Sequence, residues 1–372
     1  MALDLLDTYG NLLVYGFCGL LFALLLSMYF VPALRKLATT KNFTDTPSAR
    51  KSHSLQVPIL GGVAVYLSAA IPIATLAILT VDLQGESSKT LLLGSGALTL
   101  LVVGVIDDLN GMKALSKLAF QIVIALIVLY ILQFNIGNMN GLLGLYELPQ
   151  IITMMLSLFV YVVFMNMLNL IDGIDGLASG LSLVAFTFFA FVAYSTESAF
   201  NMLICMSSIG SLLPFLYHNM FSDKKIFLGD NGSLVLGFTL GFLALELLTP
   251  DNSARESVYG VNTPLVLMSL FSFPLVDTLR VFIIRMSRKK SPFSPDKNHV
   301  HHHLLRLGLS HRQATFLILV YTVLITFLSI VISGLNINFA FGVLLFTAVF
   351  CICLPTFLDR KTNGSIQFKN RY

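Results

Sequence analysis

Two adjacent acids, Asp107 and Asp108, end a long apolar run and are the first candidates for chemistry. A carboxylate pair beside hydrocarbon is costly, so function explains such a pair better than a solvated helix end does. Neighbours on a helix point about 100° apart, so we expect the two acids to divide between a base and a positioning role. Lys117 follows shortly after them and is suited to bind a phosphate.

A second polar segment, 166–176, carries amides and carboxylates three residues apart. Asn166, Asn169, Asp172 and Asp175 fall on one face of this segment if its backbone is helical. Hard cations such as magnesium prefer a few carboxylate or amide oxygens together with phosphate oxygens and water. The segment therefore predicts a divalent-metal site, and taken alone it equally fits a loop in which Asp and Gly end a helix.

A Gly-Asp-Asn-Gly-Ser turn, from Gly229 to Ser233, follows Lys224 and Lys225 and precedes another apolar run. Such a turn at the start of a helix offers both a metal ligand and free backbone amides. Asp230 is accordingly the first candidate for a magnesium ligand. A plain helix cap, formed by Asp230 or Ser233, is the alternative.

Histidines dominate the longest polar segment. The four residues are His299, His301, His302 and His303. Their spacing suggests zinc or nickel at first, but no cysteine or carboxylate cluster accompanies them apart from Asp296. The flanking Lys and Arg residues repel a metal cation and favour phosphates, so contacts to a diphosphate and a nucleotide are predicted in preference to a solvated basic loop.

Arg50, Lys51 and His53 form a further basic group ahead of Gly61 and Gly62. A glycine pair allows a backbone or a lipid phosphate to approach closely. The basic residues are therefore candidates for substrate binding, although positive charge of this kind also orients membrane proteins.

Membrane-spanning helices must position these segments. The chain of 372 residues is 56% hydrophobic and 11% charged, with a mean hydropathy of +0.83, which excludes an ordinary soluble domain. Because a helix needs about 20 apolar residues to cross the hydrocarbon, the apolar runs predict an all-α polytopic fold with eleven crossings. The predicted spans are 12–34, 58–80, 91–106, 117–134, 151–169, 177–194, 199–219, 232–249, 262–286, 314–333 and 337–357.

Charge placement predicts the orientation of the chain. With the amino terminus outside and the carboxyl terminus cytoplasmic, all but three of the 23 Lys and Arg residues lie inside. The exceptions are Lys89 and Arg255 outside, and Arg280 within a span, where Asp277 one turn earlier is its expected partner. The outside loops, including 135–150, are predicted to be simple connectors. A single integral domain, 1–372, is expected, with cytoplasmic loops at 35–57, 107–116, 170–176, 220–231 and 287–313.

In their order along residues 45–314, these segments resemble the polyprenyl-phosphate N-acetylhexosamine-1-phosphate transferases. The shared motifs are Asp-x-Pro-x-x-Arg-Lys-x-His, Asp-Asp, Asn-Leu-Ile-Asp-Gly-Ile-Asp-Gly, Gly-Asp-x-Gly-Ser and Ser-Pro-Phe-Ser-Pro-Asp-Lys-x-His-Val-His-His. Each motif is weak alone, whereas the ordered set is specific. The first and last motifs look like the bacterial branch that uses UDP-N-acetylglucosamine and undecaprenyl phosphate, and less like the muramoyl-pentapeptide branch. Asn110, where many relatives have an acid, and His303, which extends the histidine motif, depart from the pattern.

The resemblance implies transfer of N-acetylglucosamine-1-phosphate from UDP-N-acetylglucosamine to undecaprenyl phosphate, with UMP as the leaving group. The reaction would take place at the cytoplasmic face of the bacterial inner membrane and would make the first lipid-linked sugar of a surface polysaccharide such as O-antigen. The cofactor would be magnesium, for which manganese could substitute. The implied site comprises Asp107, Asp108, Asp172 and Asp175 as catalytic residues, Asp230 and Asn169 as metal ligands, and Arg50, Lys51, His53, Lys117, Asn166, His299, His301 and His302 as substrate-binding residues. The resemblance implies no nucleic-acid partner and leaves a homodimer open.

Three other functions are compatible with parts of the sequence. The nearest is the same chemistry with another UDP-N-acetylhexosamine. A transporter is the chief rival, because carboxylates inside membranes often mark ion pathways, but here they cluster at helix ends and not at the midplane. A non-catalytic scaffold would leave five polar motifs without a purpose.

Overall fold

The computed structural model describes residues 2–45, 57–80, 85–249, 262–291 and 298–369. Within these ranges, ten helices are long and apolar enough to cross a membrane. Two shorter helices that meet at a bend of 65° form an eleventh candidate span. The prediction of an all-α polytopic membrane protein is therefore confirmed, and the eleven predicted crossings agree with the ten or eleven candidate spans of the described residues. The candidate residues Arg50, Lys51 and His53 lie outside the described residues.

Thirteen helices and four short strands make up the described part of the chain. The helices are α1 (Ala2–Thr40), α2 (Gly61–Leu79), α3 (Ser87–Asn110), α4 (Ala114–Leu132), α5 (Gln150–Ile171), α6 (Leu177–Ser195), α7 (Ala199–Leu216), α8 (Gly229–Leu248), α9 (Thr263–Leu270), α10 (Ser272–Ser287), α11 (Val300–Arg306), α12 (His311–Val331) and α13 (Ile337–Lys369). One π-helical turn, Tyr217–Phe221, continues α7. The strands pair antiparallel, β1 (Thr44–Asp45) with β2 (Val57–Pro58) and β3 (Asn138–Leu142) with β4 (Leu145–Glu147).

The connector between α4 and α5 contains a β-hairpin where the sequence predicts only a simple loop. Strands β3 and β4 turn through Gly144, whose φ of +78° favours glycine. Asn338 at the start of α13 holds the hairpin, since its Oδ1 accepts from Leu143 N at 2.6 Å and its Nδ2 donates to Gly141 O at 3.2 Å. The hairpin therefore ties α13 to the bundle.

Helix α8 is the centre of the bundle. Nearly all of its residues are buried, as expected of a membrane helix that is apolar on every face. It packs against α2, α3 and α5, and glycines allow the close approach. A Cβ atom on Gly62 would overlap Gly232, and one on Gly104 would overlap the backbone of Asn231. These contacts hold the first turn of α8 against the start of α2 and the end of α3.

Gly104→Ala should destabilise the fold by about 1–3 kcal/mol, because the added methyl group would meet backbone that has no room to move. Thermal unfolding of the purified protein in detergent measures the effect. Gly94→Ala is the matched control in the same helix. Its methyl group would enter open space, so it should be neutral or stabilising by about 0.5–1 kcal/mol. Equal destabilisation by the two variants would contradict a tight contact at Gly104.

Candidate active site

Polar residues from four helices meet at one end of the bundle. Helix α3 ends with Asp107 and Asp108, α5 carries Asn169 in its last turn, and α8 begins with Asp230 in its first turn. These four side chains are the acidic cluster. The buried ammonium of Lys117, from the first turn of α4, contacts Asp107 Oδ2 at 3.0 Å and Asn169 Oδ1 at 3.4 Å. It also contacts Asp230 Oδ2, so three oxygens from three helices converge on one cation.

Asp108 caps helix α8 from a neighbouring helix. Its Oδ1 accepts from Asp230 N at 3.0 Å, and its Oδ2 accepts from Asn231 N at 3.1 Å and Asn231 Nδ2 at 2.6 Å. The N-cap residue of α8, Leu228, offers no side-chain cap, so Asp108 satisfies amides that would otherwise be unpaired. The cap thus comes from α3 and not from Asp230 itself. Asp107 binds different partners, as the divergence of adjacent helical residues predicts.

Asn169 and Asn166 lie on the face of α5 that meets α4 and α8. Asn169 Nδ2 donates to Asp230 Oδ1 at 2.7 Å. Asn166 exchanges hydrogen bonds with Gln121 of α4, as its Nδ2 donates at 2.7 Å and its Oδ1 accepts at 3.2 Å. Gln121 stands in no sequence motif, although an amide one turn after Lys117 in an apolar helix is a signal for such a partner. Asn166 therefore braces the helices that carry the acidic cluster.

Asp172 follows the last residue of α5 and is surrounded by negative charge. Burial raises the pKa of its carboxyl group from the ordinary 3.8 to about 8, and three nearby carboxylates contribute to the shift. Those carboxylates belong to Asp230, Asp108 and Asp175. Without a bound cation, Asp172 therefore keeps its proton at neutral pH.

Asp172→Asn should remove a pH dependence from the folding stability. A carboxyl group with a higher pKa in the folded than in the unfolded state stabilises the fold at low pH, and this contribution is lost as the pH rises through the folded value. The wild type should therefore lose stability relative to Asp172→Asn between about pH 4 and the folded pKa of about 8. Melting temperatures of both proteins in detergent with EDTA, over a pH series, test this expectation. Parallel curves would contradict it.

Asp175 is engaged by basic residues beside the acidic cluster. Burial by itself would raise the pKa of its carboxyl group, but hydrogen bonds and positive charges from His311 and Lys225 outweigh burial and lower that pKa. The carboxylate contacts Lys225 and lies 3.3 Å from His311 Nδ1. No sequence motif links these two partners to Asp175. They lie in distant segments, and only packing of the loops brings them to Asp175.

The π-helical turn after α7 supports the loop between α5 and α6. Asn219 Oδ1 accepts from Gly176 N at 2.6 Å, and Asn219 Nδ2 donates to Ile226 O at 2.8 Å. Gly176 has a φ of +77°, and a Cβ atom there would overlap Met220, so glycine is required. Single π turns of this kind are frequent at functional sites. Asn219 is thus a positioning residue that the sequence motifs do not indicate.

His301 lies against the loop that follows α5. It is buried, and its Nε2 is so close to Gly173 that a Cβ atom there would overlap the ring. Burial first, and then the charges of His302 and His299, lower the pKa of His301 well below its ordinary value. Among the described residues, neither ring nitrogen of His301 has a hydrogen-bond partner. A buried imidazole in this condition needs a partner from outside the described residues, such as water or a ligand.

His299 and His303 face the helices at the carboxyl-terminal end of the chain. His299 Nδ1 lies 2.9 Å from Asp277 Oδ2, and His303 Nδ1 lies 2.6 Å from Asp359 Oδ2. The predicted pairing of Asp277 with Arg280 is confirmed, at 2.7 Å. The histidine segment therefore contacts two parts of the bundle. His301 meets the loop after α5, and His302 lies half-buried beside it. His299 and His303 attach the segment to α10 and α13.

The oxygens of the acidic cluster fit a hard cation. In the described part of the chain, no three or more His, Cys, Asp or Glu side chains are placed to hold a metal ion. Magnesium does not require such a group, since one or two carboxylates commonly hold it together with substrate phosphates and water. Asp107, Asp230 and the Asn169 oxygen already converge on the ammonium of Lys117. A divalent cation would share these oxygens with Lys117.

Comparison with known proteins indicates the class of enzyme that this chain resembles. The family model described as glycosyl transferase family 4 matches residues 90–248, which include the whole acidic cluster, and curated transferases match most of the chain. A Bacillus subtilis (strain 168) relative, named a probable undecaprenyl-phosphate N-acetylglucosaminyl 1-phosphate transferase, is 28% identical over 331 residues, 88% of each chain.

Two further relatives of this chain are informative. A Yersinia pestis protein named undecaprenyl-phosphate alpha-N-acetylglucosaminyl 1-phosphate transferase is 27% identical over 316 residues, 84% of this chain and 83% of that protein. A Mycolicibacterium smegmatis protein named decaprenyl-phosphate N-acetylglucosaminephosphotransferase is 38% identical over 122 residues, 32% of this chain and 30% of that protein. The matches and the apolar helices together support a multi-pass membrane enzyme of the phosphosugar transferase class.

Proposed function

We propose that this enzyme transfers N-acetylglucosamine-1-phosphate from UDP-N-acetylglucosamine to undecaprenyl phosphate and releases UMP. The names of the Bacillus subtilis and Yersinia pestis relatives support this choice of acceptor and sugar. The positive-inside charge pattern supports a cytoplasmic active site in a bacterial inner membrane. The product would be the first lipid-linked sugar of a cell-surface polysaccharide.

One observation carries the proposal: oxygens from α3, α5 and α8 converge on the ammonium group of Lys117 at one end of the bundle. Two anionic substrates must meet in this reaction, and their repulsion has to be offset by positive charge. Lys117 supplies one such charge within the acidic cluster. A site at the end of the helices also suits an acceptor whose tail lies in the membrane and a donor that is soluble in water.

The proposed reaction exchanges one phosphoanhydride bond for another. An oxygen of the acceptor phosphate forms a bond to the β-phosphorus of the donor, and the bond from that phosphorus to the bridging oxygen breaks. UMP leaves with the bond's electron pair. A phosphate monoester loses its last proton with a pKa of about 6, so the acceptor needs no general base at neutral pH. Asp107 and Asp108 accordingly act as positioning residues. Asp107 holds the ammonium group of Lys117 in place, and Asp108 holds the first turn of α8 in place.

Asp230 and Asn169 are the proposed ligands of magnesium, with manganese as a substitute. When bound, the metal would supply charge neutralisation to the donor diphosphate. The chain's own residues have separate tasks in this proposal. Lys117 binds phosphate oxygens, His301 offers its unpartnered ring nitrogens to the donor, and Asp172 adds a carboxylate that ionises when positive charge arrives.

The test uses purified protein, undecaprenyl phosphate, magnesium and UDP-N-acetylglucosamine labelled with ³²P at the β-phosphorus. Transfer of the sugar phosphate predicts that the label enters the lipid fraction and that unlabelled UMP appears in equal amount. Transfer of the sugar alone would leave the label in UDP. Omission of the acceptor and addition of EDTA should each stop the reaction.

The same assay separates the remaining alternatives. Other UDP-N-acetylhexosamines in place of the glucosamine donor determine the sugar preference, and a faster reaction with one of them would correct the donor assignment. Absence of UMP with every donor would reject the transferase proposal for these substrates. Uptake of labelled nucleotide sugar into liposomes without any UMP would instead support a transporter.

A further inference from the structure

A buried carboxylate outside the acidic cluster organises the histidine segment. Asp277 of α10 is fully buried. Its Oδ1 accepts from Arg280 Nη2 at 2.7 Å and from Val300 N at 3.2 Å, and its Oδ2 lies 2.9 Å from His299 Nδ1. A buried carboxylate is costly unless it is paired and hydrogen-bonded, so this one is held in place by three partners. One carboxylate therefore joins α10 to the first residues of α11.

The contact with Asp277 determines which nitrogen of His299 carries a proton. A carboxylate paired with Arg280 has no proton to give, so the 2.9 Å contact requires Nδ1–H of His299 as the donor. Nε2 is then the nitrogen left to meet a ligand. It accepts a hydrogen bond when the imidazole is neutral and donates one when the imidazole is protonated. Asp277 thus selects both the orientation and the ligand-facing atom of His299.

The ring of His299 is also linked, through His301, to the loop that follows α5. It stacks on His301 with ring centroids 5.6 Å apart and planes inclined by 7°. His301 in turn lies against Gly173, between Asp172 and Asp175. The orientation that Asp277 gives to His299 is therefore passed on to the imidazole that adjoins the loop after α5.

We propose that Asp277 is a positioning residue for the nucleotide-sugar donor, which holds His299 so that its Nε2 contacts that substrate. The inference rests on the proposed function and adds a residue to it. Asp277 does not itself touch the substrate. Its effect on the reaction passes through His299, and this dependence is what an experiment can measure.

The test is a double-mutant cycle with Asp277→Asn, His299→Ala and the double variant. In metal sites, a carboxylate that orients an imidazole is worth about 10- to 100-fold in activity, and we expect a similar loss in kcat/KM for the donor from each single variant. Most of the loss should appear in the donor KM, and the KM for undecaprenyl phosphate should stay near the wild-type value. The double variant should match His299→Ala, because removal of His299 leaves Asp277 nothing to orient.

Asp359→Asn is the matched control. Asp359 forms the other Asp–His pair of the segment, with His303, and it contacts Arg306 Nε at 2.8 Å. Any effect of Asp359→Asn should be the same in the wild-type and His299→Ala backgrounds. If Asp277→Asn does not purify as a folded protein, Asp277→Glu takes its place, since it keeps the charge and should show a smaller loss with the same dependence on His299.

The outcomes separate this inference from the function it rests on. An inactive wild type would reject both. An active wild type in which the losses from Asp277→Asn and His299→Ala multiply would leave the transferase proposal intact and overturn the positioning role. An increase in the acceptor KM equal to that in the donor KM would also overturn it, because it would indicate a general disturbance of the fold.

Discussion

Asp230→Asn should reduce transfer of the sugar phosphate at least about 10³-fold while the protein remains folded. Asp230 accepts hydrogen bonds from Lys117 and Asn169 at the start of α8, where the acidic cluster meets. An amide of the same size keeps the packing of this turn and can accept only one of the two hydrogen bonds, and it removes the charge that attracts a hard cation. The measurement is kcat from UMP release with both substrates saturating.

Asp223→Asn is the control for this prediction, because Asp223 is an exposed acid in the loop just before α8. The control should retain a rate near that of the wild type. Binding of Mn²⁺, followed by electron paramagnetic resonance, should weaken in Asp230→Asn and not in Asp223→Asn. A folded Asp230→Asn protein with the wild-type rate would remove Asp230 from the proposed metal site.

Lys117→Gln should lower the rate at least about 10²-fold and should also lower the melting temperature. The buried ammonium holds Asp107 and Asp230 together, and loss of one partner from a buried ion pair typically costs about 3–5 kcal/mol. Without Lys117, the two carboxylates lose the ammonium group that lies between them. Thermal unfolding and UMP release from the same preparation measure both effects.

The effect of magnesium on the melting temperature should differ between Lys117→Gln and the wild type. A divalent cation that binds the same oxygens should stabilise Lys117→Gln more than it stabilises the wild type, since in the variant the cation has no competitor for them. Lys113→Gln is the control, as Lys113 is exposed and lies four residues before Lys117. It should behave like the wild type in both assays. An equal response of all three proteins to magnesium would show that the cation binds elsewhere.

The fold class follows from the sequence alone because hydrocarbon restricts what a chain can do. Backbone amides and carbonyls find no water in the membrane, so each long apolar run must be a helix. That argument yields the eleven candidate crossings that the described residues show. It says nothing about the β-hairpin between α4 and α5, whose pairing depends on a contact with Asn338 in α13.

The sequence predicts which residues belong to the candidate site better than it predicts what each of them does. Asp107, Asp108 and Asp230 stand out because carboxylates next to apolar runs are costly. That Asp108 caps α8 could not be read from spacing, because the amides it accepts from lie 122 and 123 residues away. Asn219 and Gln121 are missed for a related reason, since neither stands in a motif and each contacts a partner outside its own helix.

The sequence by itself determined the membrane-spanning helices and the polar residues available for chemistry, because both depend on the local cost of exposing polar groups to hydrocarbon. Only the tertiary structure decided which of those residues share a cation, which one caps a neighbouring helix, and which carboxylate holds His299. Such contacts depend on which helices are neighbours. Close packing at glycines such as Gly62 and Gly104 sets that arrangement, and the sequence of one helix does not specify which other helix packs against it.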